Sequence, residues 1–193
     1  MSVKPSLTFA ILTVSDRCFN KESEDKSGPL LAQLLQEDFQ HAHILKTCVP
    51  DEMEEIKDKL KYWVDQSKVD LIFTSGGTGM SPRDVTPEAM NHLIDKKVPC
   101  IEHIIQTEGL KVTPLAMLSR STCGVRGKTL IMNFPGSSKA VKENYSAVSS
   151  YLPSIVKTLI MNFPGSSKAV KENYSAVSSY LPSIMKTLQS IKA

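Results

Sequence analysis

The sequence predicts an α/β fold, a three-layer α/β/α sandwich with a mostly parallel sheet. Two observations predict it. Apolar runs of strand length alternate with amphipathic helical stretches from Leu7 to Thr107. Consecutive strand, helix, strand units fold as parallel strands joined by right-handed crossovers, which place helices on both faces of the sheet.

The elements follow in order. Leu7–Val14 is a first strand, and a helix begins near Gly28 with Ser27 as its N-cap and Leu30, Leu31, Leu34 and Leu35 as its apolar face. His43–Val49 is the second strand. Glu52–Gln66 is a helix with Met53, Ile56, Leu60, Trp63 and Val64 along one face, preceded by Asp51 at capping-box spacing to Glu54. Val69–Thr74 is the third strand, and a helix starts at Pro87 after Thr86. Short helical pieces are expected around Ile101–Thr107, an extended piece around Met117–Cys123, and a strand over Thr129–Phe134. The last helix runs from Ser138 to about Leu159 with a kink at Pro153.

The chain has 193 residues, 41% hydrophobic and 22% charged. A chain of this size buries roughly 70% of its unfolded surface in one core. The apolar runs fall short of the ~20 residues a membrane helix needs, and the N-terminus lacks a signal-peptide cleavage pattern, so a cytoplasmic protein without a membrane span is expected. Cys18, Cys48, Cys100 and Cys123 are widely spaced with no histidine at ligand spacing, which argues against zinc and disulfides and for buried thiols at Cys48 and Cys100. The net charge of +3 is dispersed, without a basic stripe, so nucleic acid is a poor partner, whereas a phosphorylated ligand suits it.

Lys128–Val156 recurs as Lys157–Met185 with one difference, Val156 against Met185. Solenoids need about three copies and keep a pattern rather than every residue, so a recent tandem duplication or an assembly artefact explains the repeat better. If the second copy completed the sheet, the first would become a long insertion at a loop-closure cost of about 3 kcal/mol. The expected division is therefore a domain over residues 1–159 and an appendage over 160–193.

Ligand chemistry collects after each strand, at the sheet edge where crossover loops converge. Ser15 and Asp16 follow the first strand, Pro50 and Asp51 the second, "SGGTGMSPRD" the third, and "PGSS" the fourth. Gly76, Gly77 and Gly79 let the backbone turn its N–H groups toward a phosphate oxygen, and Thr78 adds a hydroxyl. Without a following lysine, this is not a Walker loop. Asp84, stiffened between Pro82 and Pro87, and Asp51 set two carboxylates over that loop, a pair that suits Mg2+. Asp51 as a helix cap and Asp84 as an ion-pair partner of Arg83 are the competing readings. Pro135, Gly136 and Ser137 lead into a helix N-terminus that attracts anions, where Ser138 could also serve simply as a cap.

"TVSDRC", "DKSGP", "VPDEMEEIKDKL", "DLIFTSGGTGMSPRDVTPEA" and "VTPLAMLSRSTCGVRGKTLIMNFPGS" resemble, in order and spacing, the molybdopterin adenylyltransferase family: bacterial MogA and MoaB proteins and the N-terminal G domain of gephyrin. The resemblance covers about Leu7 to Leu159 and is strongest to the gephyrin-type domain. It implies a trimeric domain of the molybdenum cofactor biosynthesis G-domain type that uses Mg-ATP to adenylylate molybdopterin. It also implies that Asp51 and Asp84 are the family's essential catalytic acids, and that the glycine loop, Gly76, Gly77, Thr78 and Gly79, and the segment with Pro135, Gly136 and Ser137 belong to the nucleotide and pterin-phosphate pocket. The reading of the post-strand loops adds Ser15, Asp16 and Ser75 as candidate cofactor-binding residues and gives Asp51 and Asp84 the Mg2+.

Cys100 stands where many members have glycine. The resemblance ties metal insertion and receptor anchoring to a separate E domain absent from this sequence, so a molybdenum-inserting E-domain protein is an expected partner. Two other readings stay open: a non-catalytic trimeric scaffold of gephyrin type, and a CinA-like pterin- or nucleotide-processing hydrolase.

Overall fold

The computed structural model describes residues 7–160. The expected appendage, residues 160–193, lies outside the described residues except for Ile160.

Six strands form one sheet in the order β2-β1-β3-β6-β5-β4. They are β1 (Thr8–Val14), β2 (His43–Val49), β3 (Leu71–Ser75), β4 (Lys96–Lys97), β5 (Cys123–Arg126) and β6 (Thr129–Phe134). The pairs β1–β2, β1–β3 and β3–β6 are parallel, while β5 and β4 add an antiparallel edge. Strand order reverses between β1 and β3, the switch point outside which α/β sheets bind ligands.

Seven helices accompany the described strands: α1 (Asp16–Phe19), α2 (Ser27–Asp38), α3 (Met53–Lys61), α4 (Thr86–Asn91), α5 (Pro99–Val112), α6 (Ser138–Ser149) and α7 (Leu152–Ile160). Alternation along each strand sorts side chains to two faces. Phe9, Ile11, Leu71, Phe73, Leu130 and Met132 meet Leu31 and Leu35 of α2, Ile105 of α5 and Tyr145 of α6. Ala10, Leu12, Ile72 and Ile131 meet Ile56 and Leu60 of α3 and Met90 of α4. This is the three-layer sandwich that the alternation predicts. Phe73 lies fully buried with its ring 5.1 Å from that of Phe134. Phe73→Ala is expected to lower unfolding free energy by about 4 kcal/mol, measured by urea titration.

Several elements differ from expectation, each for a local reason. Ser27 is inside α2 rather than its cap; Asp25 accepts from the backbone N–H groups of Ser27 (3.1 Å) and Gly28 (3.0 Å) instead. Helix α3 gives way to a wider π-type turn over Tyr62–Gln66. The short pieces expected near Ile101 are one 14-residue helix that starts at Pro99. Around Met117 the chain is not extended but forms a 3-10 turn over Pro114–Leu118, capped by Thr113. The final helix does not kink at Pro153: it breaks between α6 and α7, and Pro153 falls in the first turn of α7, where a missing N–H is tolerated. Edge strand β4, unforeseen, carries two exposed lysines that discourage further pairing. Cys100 is exposed rather than buried. Cys48 is partly buried, and burial pushes its thiol up to about 11.

Candidate functional site

The loops that leave the carboxyl ends of β1, β2, β3 and β6 enclose a cavity of about 820 Å3. Ser15, Asp16, Asp51, Ser75, Gly76, Gly77, Thr78, Gly79, Asp84, Gly136 and Ser137 all line it. Pro135 does not. It lines an adjoining hollow of about 360 Å3 that shares Thr78 and Gly79 with the larger cavity.

The floor is the glycine loop. Gly76 (φ 110°) and Gly77 (φ 61°) adopt backbone conformations that only glycine takes freely. A Cβ on Gly76 would strike the carbonyl of Val14 at the end of β1, and one on Gly77 would strike the Thr86 hydroxyl. Gly136 closes the other side, where a Cβ would come 3.2 Å from the Gly76 Cα. The Gly76 N–H is engaged by the Phe134 carbonyl at 2.9 Å, so it is not offered to a ligand. The N–H groups of Gly77, Thr78 and Gly79 donate to no group among the described residues. Ser75 stitches rather than points outward: its Oγ donates to the Pro135 carbonyl at 3.2 Å. Ser137, not Ser138, caps α6, accepting from the Ala140 N–H at 3.1 Å.

Both carboxylates adjoin this floor. A Cβ placed on Gly77 would lie 3.4 Å from Asp51 Oδ1, and one on Gly79 would lie 2.9 Å from Asp84 Oδ2. Asp51 does not cap α3, which has no side-chain cap; its Oδ2 accepts from the Asp16 N–H at 2.8 Å, and the Asp51 N–H donates to Asp16 Oδ1 at 2.9 Å. Asp84 does not pair with Arg83 either. Its Oδ2 accepts from the Ser81 N–H at 2.9 Å, while Arg83 reaches across to Asp16 (2.9 Å) and Glu52 (2.6 Å).

The acids are tuned in opposite directions. Hydrogen bonding to the Arg83 guanidinium, then to the Asp51 N–H, holds Asp16 below the usual carboxylate range. Burial pushes Asp51 up, and the charges of Asp16 and Asp84 add to the rise, against the bond from Asp16 and the attraction of Arg83. Among the described residues no cluster of three or more His, Cys, Asp or Glu could cage a metal. The donor set and the glycine cradle together fit Mg2+, which takes one or two carboxylates and fills its shell with water and substrate phosphate.

Sequence reasoning missed three residues here. Asp25 accepts from the Thr13 hydroxyl at 2.6 Å as well as capping α2, fixing the cavity's far wall. Arg83 ties the β1 loop to α3. Arg120 donates to the Gly79 carbonyl at 2.8 Å and to the Asp84 carbonyl at 2.7 Å. Only Asp25 carried a local signal, an acid just before a helix start. The two arginines act across 67 and 36 residues of chain.

Residues 10–154 match the family described as "Probable molybdopterin binding domain". The chain is 46% identical over 151 residues to "Molybdenum cofactor synthesis protein cinnamon" of Drosophila melanogaster, an alignment covering 78% of this chain and 25% of that protein. It therefore spans about a quarter of that relative. It is 34% identical over 152 residues to a "Molybdopterin adenylyltransferase" of Helicobacter pylori, covering 78% of this chain and 86% of that enzyme. The crystal structure of the "Molybdopterin biosynthesis enzyme MoaB" from Thermus thermophilus superposes with a TM-score of 0.73 at 42% identity, covering 79% of this chain and 96% of that one. No helix among the described residues is long and apolar enough to cross a membrane. With the fold, the cradle and these likenesses in agreement, the chain belongs to the molybdopterin-binding domain family of molybdenum cofactor biosynthesis.

Proposed function

We propose that this chain is a molybdopterin adenylyltransferase: with ATP and Mg2+ it forms adenylyl-molybdopterin and releases pyrophosphate. The observation that carries the reading is the placement of Asp51 and Asp84 against Gly77 and Gly79, two carboxylates beside one backbone anion cradle. The terminal phosphate of molybdopterin attacks the α-phosphorus of ATP, a new P–O bond forms, and the bond to the β-phosphate breaks. Catalysis in such a transfer is chiefly positioning and charge stabilisation.

Asp51 and Asp84 would hold Mg2+, which supplies Lewis-acid neutralisation of phosphate charge when bound. The N–H groups of Gly77, Thr78 and Gly79 bind the phosphate oxygens. The start of α6, at Ser137, turns the positive end of its dipole toward the same cavity. Arg83 is ion-paired to Asp16, which leaves Asp51 and Asp84 as the acids beside the glycine loop without an ion-pair partner among the described residues.

A continuous pyrophosphate assay tests the reading. Release that starts only when molybdopterin joins Mg-ATP is expected; nucleotide hydrolysis independent of molybdopterin points to the CinA-like alternative, and a chain that binds neither ATP nor molybdopterin in a calorimetric titration to a scaffold. The acid limb of the pH profile supplies a second test. Both carboxylates must be ionised, and Arg83 lowers the proton affinity of each of Asp16 and Asp51. Arg83→Gln is therefore expected to move the acid limb of kcat/KM to higher pH relative to the parent, with the alkaline plateau retained.

The same reading places the chain in the cytoplasm as a homotrimer that passes its product to a molybdenum-inserting E-domain protein. Leu115 and Met117, exposed on the 3-10 turn, offer apolar surface for a contact between copies. Light scattering of the full chain measures the assembly.

A further inference from the structure

The geometry points to Arg120 as the positioning residue that fixes Asp84 against the glycine cradle, acting through the backbone of the loop rather than on substrate. The inference rests on the proposed role of Asp84 in holding the divalent cation.

The loop from Gly77 to Thr86 leaves the sheet and returns, closed at its base by the Thr86 N–H donating to the Gly77 carbonyl at 3.2 Å. Asp84 hangs on the returning limb and Gly79 sits on the outgoing one. The Asp84 carboxylate occupies space that a side chain at position 79 would need, 2.9 Å from its Cβ. The separation of the two limbs thus decides where the carboxylate lies.

One planar group sets that separation. Arg120 Nε donates to the Gly79 carbonyl at 2.8 Å and Nη2 donates to the Asp84 carbonyl at 2.7 Å, so a single guanidinium spans both limbs. Its third arm, Nη1, is paired to Glu88 Oε1 on α4. The backbone of the same residue is pinned as well, the Arg120 N–H donating to the Thr78 carbonyl at 2.9 Å. A rigid fork with fixed angles between donors can impose such a distance, whereas a lysine ammonium is a point charge on a flexible stem. Burial is the largest influence on the Glu88 carboxyl and pushes it up, but the hydrogen bond from Arg120, one from its own backbone N–H and the charge of Arg120 together hold it below the ordinary glutamate range. Its Oε2 is buried with no partner among the described residues, so the Arg120 bond is its main satisfaction.

The arrangement makes Arg120 a support for the metal ligand rather than a catalytic residue. Removing such an outer support costs about tenfold to a hundredfold in metal affinity. The test is Mn2+ binding to the full chain in the presence of ATP, followed by electron paramagnetic resonance of the free ion, with Arg120→Lys, Arg120→Ala and Glu88→Gln beside the parent. Arg120→Lys is expected to weaken Mn2+ binding about tenfold while the far-ultraviolet circular dichroism and melting temperature stay near the parent's. Millimolar guanidinium is expected to restore part of the binding in Arg120→Ala. Glu88→Gln, which leaves Asp84 untouched, is expected to give a smaller shift in the same direction.

Parental Mn2+ affinity in folded Arg120→Lys and Arg120→Ala overturns the inference, as does a loss confined to melting temperature. A parent that binds Mn2+ with ATP yet makes no adenylyl-molybdopterin overturns the proposed reaction alone, and the Arg120 variants are then still judged by binding. A parent that binds no Mn2+ overturns both.

Discussion

Asp84→Asn is expected to lower kcat/KM for adenylyl-molybdopterin formation by about a thousandfold, the several kcal/mol that metal-assisted charge stabilisation supplies to such a transfer. The fold should be spared. The Asp84 carboxylate makes one local bond, from the Ser81 N–H, which the amide oxygen of asparagine can accept equally well. Its melting temperature is thus expected to stay within about 2 °C of the parent, as for other substitutions away from the core. Steady-state kinetics with molybdopterin varied at saturating Mg-ATP, beside a thermal melt, separates the two effects. A variant that turns over at the parental rate removes Asp84 from the mechanism.

Gly76→Ala is expected to do the opposite kind of damage, to structure first. Its φ of 110° is strained for any side chain, and the new Cβ would run into the Val14 carbonyl, which is backbone and cannot move aside. The combined cost is about 3 kcal/mol, which corresponds to roughly 10 °C in melting temperature for a chain of this size. Gly127 supplies the control. It too has positive φ, at 57°, but nothing lies within 4 Å of an added Cβ. Gly127→Ala should therefore cost only about 1 kcal/mol, since strain acts there without collision. Equal losses at the two positions in thermal unfolding would show that close approach at Gly76 contributes nothing.

How far the sequence could be read depends on whether a signal is local. The strands β1, β2, β3 and β6 were legible because each is an apolar run bounded by turn residues, and their parallel order followed from the helices between them. The convergence of the post-strand loops was legible for the same reason: topology alone puts carboxyl ends on one edge. What these loops do with their side chains was not. Asp51 stands where a cap would stand, yet its carboxylate turns to Asp16 of another loop, 35 residues away. Arg83 is adjacent to Asp84 in sequence but bonds elsewhere, because Asp16 and Glu52 lie within reach of its fork.

The duplicated segment shows the limit most plainly. Thr129–Ile131 lies in β6, with Leu130 and Ile131 paired to β3 and Thr129 to β5, whereas the same three residues recur at Thr158–Ile160 in the last turn of α7. Identical residues take strand in one place and helix in the other, so neighbours, not propensity, decide. Helix α5 was underestimated for a related reason. Gly109 interrupts its pattern, but there the glycine admits the Ala116 side chain, 3.1 Å from where a Cβ would stand.

The central claim is that the Asp51 and Asp84 carboxylates and the N–H groups of Gly77 to Gly79 serve one nucleotide-bound cation. The most direct test is a crystal of the chain soaked with Mn2+ and ATP, with data collected at the manganese absorption edge. An anomalous peak in contact with the carboxyl groups of both Asp51 and Asp84 is expected, with phosphate density over the glycine loop. Manganese and nucleotide seated elsewhere, with both acids left to their protein partners, would contradict it.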